Sequence, residues 1–467
     1  MSRPESSPSS YAPLQRLQEA LEPGAGLVLV GGAVRDRLLG RTQGDWDLAT
    51  ALLPQEAMTR AKRAGLRVIP TGLQHGTVTV MLEGRPVELT TYRGDDAYLD
   101  GRRPVSVRLG VSLEEDLARR DFTVNAMALP VVALDLPDWQ EHLVDPFGGQ
   151  IDLVARVVRA VGDPLRRFAE DGLRPLRACR FVSQLDFELD SATAAAIPER
   201  LDVARKVAVE RVHQEMTKLL CGQSPAKGLR FLAATGLLDV WFPELRPLIG
   251  CLQNRHHRLD VWEHTLAVLE TLPADPGLRW AGLLHDSGKP ASVTVEESGE
   301  RHFYGHEALS LDLAQNLLGG LRASRALIDD VAALVRCHGQ HPEASWSDSA
   351  CRRHLRRLAE EGLTLDRWAV FRQGDLAGRG FLNEAALEDH SRMVARLQAL
   401  ASAHPPLAAR NLALDGRALM AMTGRKGGPW LGELQRHLLE AVLENPDLNT
   451  PPELTRLVQG WLASTSQ

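Results

Sequence analysis

Short apolar runs punctuated by glycine fill the first third of the chain, and longer amphipathic stretches fill the rest. Leu27–Val30 is a continuous apolar run that stops at Gly31 and Gly32, the pattern of a buried strand entering a turn. Val34, Leu38 and Leu39 then share one face of a short helix, and Gly40–Gly44 reads as a turn. Tyr11–Leu21 and Pro54–Ala64 predict helices on either side of this stretch. Leu66–Pro70, Gly76–Leu82 and Arg85–Thr91 predict three strands. Tyr92–Gly110 is polar and glycine-rich and predicts a mobile loop. Beyond about Ile151 the helical period takes over. Phe168–Leu185 carries one apolar stripe of Leu173, Leu176 and Phe181. Val209–Leu220, Lys227–Leu238, Glu384–Ala403, Asn411–Leu419, Gly427–Leu443 and Asn449–Leu462 continue the pattern. A small α/β head followed by a mostly helical remainder is the architecture these patterns predict.

A chain of 467 residues is too long for one core, so three or four domains are expected, roughly 100–200 residues each. Five cysteines (Cys179, Cys221, Cys251, Cys337, Cys351) lie scattered with no CxxC pair, which fits a reducing cytoplasm and opposes a disulfide framework or a zinc ribbon. Met1–Ser10 is rich in Ser and Pro and lacks the apolar centre of a signal peptide. No apolar run approaches the ~18 residues of a membrane span, so a soluble cytoplasmic chain without a membrane partner is expected. The net charge of −6 does not mark a nucleic-acid binder. Residues 151–230 nevertheless hold 14 Arg and Lys against 11 Asp and Glu, a local excess that permits an RNA-facing surface.

Candidate chemistry falls in three places. Asp45 and Asp47 alternate on a strand and so face the same way. Two carboxylates that close repel unless a cation lies between them. Beside the Gly31-Gly32 turn, which leaves room for phosphate, they point to a divalent metal and a nucleotide. Glu88, on the strand Pro86–Thr91, is either a third carboxylate there or a half-exposed strand residue. In the second place, Asp171, Arg174 and Arg177 follow i, i+3, i+6 spacing and share one face of the expected helix. In the third, His264, the doublet His285-Asp286, His306, His338 and Asp375 supply imidazoles and carboxylates. That donor set suits Mn, Ni, Fe, Co or Mg better than a structural zinc. His256 and His257 precede the set without an assigned role.

LVLVGGAVRDRLLGRTQGDWDLAT (Leu27–Thr50) resembles the signature of the polymerase-β-like nucleotidyltransferases that extend RNA without a template, the class II tRNA CCA-adding enzymes and bacterial poly(A) polymerases. EDLARRDFTVNAMA (Glu115–Ala128) is similar to the RRDFTxNAxA motif of that family. EDGLRPLRACRF (Glu170–Phe181) resembles its EDxxRxxRxxRF motif, with Gly172 and Pro175 departing from the usual residues. VERVHQEMTKLL (Val209–Leu220) resembles a further motif, in which Glu210 and Arg211 would brace the previous one. The histidine set resembles the HD phosphohydrolase superfamily, with His264, His285, Asp286 and Asp375 as basic ligands, His306 and His338 completing a second metal position, and Lys289 assisting with charge.

The resemblance implies an α+β polymerase-β-like nucleotidyltransferase head at residues 12–150. A mostly helical neck at 151–247, an HD domain at 250–380 and a helical tRNA-binding tail at 381–467 would follow. It implies catalysis by Asp45 and Asp47 with Mg²⁺. Gly31, Gly32, Arg35, Arg120 and Asn125 would bind the nucleotide, with Asp121 organising the site. Asp171 and Arg174 would read the base, and Arg177 and Arg180 would support them or touch the triphosphate. Cytosine and adenine each pair an amino donor with a bare ring nitrogen, which an Asp acceptor beside an Arg donor complements. The implied reaction adds C and A to the tRNA 3′ acceptor end from CTP and ATP. In the family a flexible loop at the position of Tyr92–Gly110 helps the change from C to A, and it is full length here, which implies CCA or A addition. The implied HD activity is a phosphohydrolase acting on RNA or nucleotide ends, with Mn, Ni, Co, Fe or Mg. Gly428–Gly432 resembles the C-terminal module, whose glycines would present backbone N–H groups to RNA phosphate. No obligate protein partner is evident. The alternatives are a poly(A) polymerase, whose relatives usually lack an HD domain, and a metal-dependent phosphohydrolase with an RNA-binding head.

Overall fold

The computed structural model describes residues 11–41, 46–95, 107–254, 258–380 and 384–465. The chain divides into two compact units, Met1–Pro243 and Glu244–Gln467.

In the first unit, α1 (Ala12–Leu21) leads to β1 (Val28–Val30), α2 (Gly32–Leu38), β2 (Asp47–Thr50) and α3 (Pro54–Arg63). Then come β3 (Arg67–Gly72), β4 (Thr77–Leu82) and β5 (Arg85–Thr91). Next are β6 (Arg93–Asp95), β7 (Val107–Leu109), α4 (Leu113–Ala118) and β8 (Ala128–Pro130). Six strands form one sheet in the order β3-β4-β5-β2-β1-β8. Only β2 and β5 run parallel in it, with Asp47 opposite Glu88. All three β1 residues are buried, as its continuous apolar run predicts for a strand in the sheet interior. The expected loop at Tyr92–Gly110 is partly regular: β6 and β7 pair antiparallel at its two ends. The span between them, 96–106, lies outside the described residues.

The helical part of this unit runs through α5 (Gly149–Ala155), the short β9 (Val157–Val158), α6 (Pro164–Glu170) and α7 (Arg174–Leu185). It continues with β10 (Glu188–Leu189), α8 (Ser191–Ala196), α9 (Leu201–Ala204), α10 (Val209–Leu220), α11 (Pro225–Ala234) and α12 (Leu237–Trp241). One expectation is corrected here. Phe168–Leu185 is two helices, and Asp171 lies between them in extended backbone (φ −144°, ψ 111°). Pro175 sits in the first turn of α7, where its missing N–H costs nothing but cannot continue α6. The Asp171 side chain turns the chain by accepting from Leu173 N at 3.0 Å. Gly172 passes so close to the Val203 carbonyl that a Cβ there would lie 2.4 Å from its oxygen. Asp171 therefore does not share a helix face with Arg174 and Arg177.

The second unit holds α13 (Val261–Thr271), α14 (Pro276–Leu284), α15 (Lys289–Ser292), a hairpin of β11 (Thr294–Val295) and β12 (Arg301–His302), α16 (His306–Gly320) and α17 (Arg325–Cys337). After these come α18 (Asp348–Glu360), α19 (Leu365–Ala377), α20 (Glu384–Ser402), α21 (Gly416–Thr423), α22 (Pro429–Glu444) and α23 (Pro451–Thr465). The helix expected at Asn411–Leu419 begins later, because Asp415 caps α21 by accepting from Ala418 N at 2.8 Å. Leu419, Leu434, Leu438, Val442, Leu443 and Leu454 form the core of the last three helices. Arg352 of α18 closes the carboxyl end of α22, donating to the carbonyls of Leu443 (2.6 Å) and Glu444 (2.8 Å). No described helix is long and apolar enough to cross a membrane.

Candidate active sites

A cavity of about 580 Å³ in the first unit gathers residues from four parts of the chain. Gly31 and Gly32 come from the turn after β1, Asp47 from β2, Arg120, Asp121 and Asn125 from the stretch after α4, and Asp171, Arg174, Arg177 and Arg180 from the α6–α7 junction. Of the first carboxylate pair only Asp47 is placed, since Asp45 lies outside the described residues. Asp47 and Glu88 also line an adjoining cavity of about 120 Å³. Seven arginines and three aspartates line the larger cavity, so its charge suits a polyanion in a chain that is acidic overall.

The two glycines make room for guanidinium groups. Gly31 adopts φ +69°, which favours glycine, and a Cβ on it would lie 2.9 Å from Arg120 Nη1. A Cβ on Gly32 would lie 3.3 Å from Arg35 Nη2. Arg35 donates to Asn125 Oδ1 at 2.6 Å, and Asn125 Nδ2 donates to Asp121 Oδ1 at 3.3 Å. Asp121 Oδ2 accepts from Arg177 Nε at 2.7 Å. Burial by itself would raise the Asp121 pKa, but Arg177 and Arg174 hold it well below the usual carboxylate range. A continuous run of polar contacts thus joins the strand-turn region to α7.

Asp171 and Arg174 are each held from outside their own segment. Asp171 Oδ2 accepts from Arg211 Nη2 of α10 at 2.8 Å. Arg174 Nη1 donates to Glu170 Oε2 (2.5 Å) and the Arg167 carbonyl (3.0 Å), and its Nη2 to the Arg119 carbonyl (2.9 Å). These contacts leave Arg174 an Nε–H and one Nη2–H, and they leave Asp171 spare lone pairs, for a ligand. Arg180 lies 3.8 Å over the Phe181 ring and 2.5 Å from Glu215. Burial and the nearby Arg177 bring the Arg180 pKa down to about 10.

Several participants escaped sequence reasoning. Buried Asp116 pairs with both Arg119 (2.9 Å) and Arg120 (3.2 Å). Burial opposes its ionisation, and the two arginines overrule it and keep its pKa below the usual value. Glu215 of α10 takes Arg177 and Arg180, whereas sequence reading singled out Glu210 and Arg211 on that helix. A charged residue on the apolar side of an amphipathic helix was the available signal for Glu215.

In the second unit all six expected ligands converge. His264 is on α13, His285 and Asp286 follow α14, His306 opens α16, His338 ends α17 and Asp375 is on α19. His264, His285 and Asp375 form one group, and Asp286, His306 and His338 another. Asp286 stands between them: Oδ2 lies 3.2 Å from His285 Nε2 and 3.5 Å from His264 Nε2, while Oδ1 lies 3.4 Å from His306 Nε2 and 3.6 Å from His338 Nε2. Each imidazole Nδ1 faces a backbone carbonyl, those of Gly378 (3.0 Å), Gly282 (2.9 Å), Phe303 (2.8 Å) and Val335 (2.6 Å). A carbonyl accepts only, so Nδ1 carries the hydrogen and each Nε2 presents a bare lone pair. Those lone pairs face one another at 3.3 Å (His264 and His285) and 3.2 Å (His306 and His338). Facing acceptors inside a buried pocket need a cation between them, so the donor set fits divalent metal. Lys289 Nζ lies 2.7 Å from Asp286 Oδ2 and 2.7 Å from Gln253 Oε1, and Arg372 pairs with Asp375.

Comparison with known proteins finds three successive family matches along the chain. A family model described as "Poly A polymerase head domain" matches residues 27–159. One described as "Probable RNA and SrmB- binding site of polymerase A" matches 186–249, and "HD domain" matches 256–372. The A-adding tRNA nucleotidyltransferase of Deinococcus radiodurans is 36% identical, covering 94% of this chain and 96% of that protein. The CCA-adding enzyme of a Geobacillus species is 33% identical over 91% of each. The crystal structure of the Bacillus stearothermophilus CCA-adding enzyme in complex with CTP superposes with a TM-score of 0.73 at 28% identity, covering 99% of both chains.

Proposed function

The chain belongs to the family of CCA-adding enzymes and related tRNA nucleotidyltransferases, and we infer that it adds C and A to tRNA 3′ ends from CTP and ATP without a nucleic-acid template. The observation that carries this reading is the single cavity that brings Asp47 and the paired glycines together with Asp171 and Arg174. In this reading Arg35 and Arg120 hold the triphosphate across the space the glycines leave open, with the planar fork that suits phosphate oxygens. Asn125 and Asp121 fix the position of Arg35 relative to α7. Asp171 accepts from the amino group of cytosine or adenine while Arg174 donates to the ring nitrogen. Guanine and uracil would set donor against donor and acceptor against acceptor, at ~1–3 kcal/mol for each unmet polar group. Asp47, with Glu88 in register beside it, suits a hard cation, and Asp45 would join them. Mg²⁺ held there would favour ionisation of the RNA 3′-hydroxyl and neutralise the triphosphate as pyrophosphate leaves.

To the second centre we assign a phosphohydrolase activity on RNA or nucleotide phosphate ends, cyclic phosphates included, because its six donors converge and the four imidazoles among them direct their protons away. Mn, Ni, Co, Fe or Mg bound there would supply an activated water. Scattered cysteines without a CxxC pair support a cytoplasmic location.

The test is extension of tRNA transcripts ending before CCA, at C and at CC, with CTP, ATP or both. Growth of the first transcript by C, C and A, stopping there, is expected of a complete CCA-adding enzyme. A second reading, addition of the final A alone, has the Deinococcus relative in its favour. It predicts extension of the CC-ended transcript only. Long A tails would instead place the chain with poly(A) polymerases, and no extension would refute both readings.

A further inference from the structure

The second centre opens into a cavity of about 320 Å³ that extends past its metal-type ligands, and two features of the wall are unexplained by them. Tyr304 is 77% exposed, among the most exposed large side chains among the described residues. Its ring lies flat on His302, centroids 5.3 Å apart and planes 6° apart. His302 is itself placed by the β11–β12 pairing, opposite Thr294, and its Nε2 lies 2.9 Å from Glu296 Oε1. Gly305, at φ +75°, then turns the chain into α16, so this aromatic pair and His306 line the same wall. An aromatic ring so exposed in the cavity wall buries little of its own surface. An exposed aromatic ring offers a surface for a nucleobase to stack on, whatever its sequence.

Arg379 is the second feature. It lines the same cavity, and its side chain has no hydrogen-bond or ion-pair partner among the described residues, while its Nε is buried. A guanidinium left without a carboxylate beside a candidate phosphohydrolase centre suits a phosphate oxygen.

We propose that Tyr304, backed by His302, stacks the base of an incoming nucleotide or RNA end while Arg379 holds one of its phosphate oxygens. The second centre then selects base-bearing phosphate esters over simple ones. The selectivity rests on the phosphohydrolase reading above; the stacking platform does not.

Photolabelling tests the platform directly. The full chain is irradiated with 8-azidoadenosine 5′-monophosphate, and labelled peptides are mapped by mass spectrometry, which separates the segment around Tyr304 from the peptides of the first site. Label is expected in the segment around His302 and Tyr304. It should fall roughly tenfold in Tyr304→Ala, an exposed substitution, persist in Tyr304→Phe and weaken in Arg379→Gln. Undiminished label in Tyr304→Ala, or label only elsewhere, would overturn the proposal. Hydrolysis separates it from the reading beneath. With Mn²⁺, Tyr304→Ala should raise KM for 2′,3′-cyclic AMP and leave bis(p-nitrophenyl) phosphate unaffected. Equal loss on both substrates would also overturn it. If the wild type hydrolyses neither, the phosphohydrolase reading fails and the labelling alone decides the platform.

Discussion

Arg211 shows how Asp171, the proposed base reader, is held at the scale of single side chains. Its guanidinium reaches from α10 to Asp171, 40 positions earlier, and takes one carboxylate oxygen at 2.8 Å. The pair is partly exposed, so its worth to folding is small. Its worth to selection is larger, because it fixes where the acceptor oxygens point. Arg211→Ala is therefore expected to leave thermal unfolding nearly unchanged. It should lower kcat/KM for CTP and ATP, by up to about 100-fold if Asp171 swings by an ångström, and raise UMP misincorporation. Primer extension with each nucleotide singly measures this; equal losses on all four nucleotides would reduce Arg211 to a structural role. Arg211 was legible because it lies in a motif. Glu215 and Asp116 were not, because their importance comes from being buried against two arginines each, and burial is not written in a local pattern.

The break between α6 and α7 is the corresponding device among elements. A continuous helical period from Phe168 to Leu185 predicts one helix, and the apolar stripe it identifies is buried as expected. Periodicity counts side chains, however, and is blind to a backbone in close contact with another segment. Gly172 is such a place, pressed against the Val203 carbonyl, and the interruption leaves Asp171 extended beside the cavity. Gly172→Ala would put a methyl 2.4 Å from that oxygen and force one segment to move. A loss of ~1–3 kcal/mol in chemical unfolding is expected, the usual range for overpacking, together with reduced discrimination between C and U. Unchanged stability would mean that the junction yields freely.

Across the whole molecule, two candidate sites lie in two compact units, the glycine–carboxylate cavity in the first and the histidine centre in the second. Asp47→Asn is expected to abolish nucleotide addition and spare phosphate release from cyclic ends; His264→Ala is expected to do the reverse. Joint loss in either variant would argue against two separate sites. The sequence by itself determined the order of the parts and most of the chemical groups. Local rules suffice there: an apolar run stopped by glycines, metal-type donors in a set order, and helical periods. Tertiary structure alone decided the rest. It set Asp171 off the helix that carries Arg174, gave Arg177 and Arg180 to Glu215, and brought the Nε2 lone pairs of His264 and His285, and of His306 and His338, face to face. These outcomes depend on which segments meet, and a contact between residues far apart in the chain leaves no periodic trace in either of them.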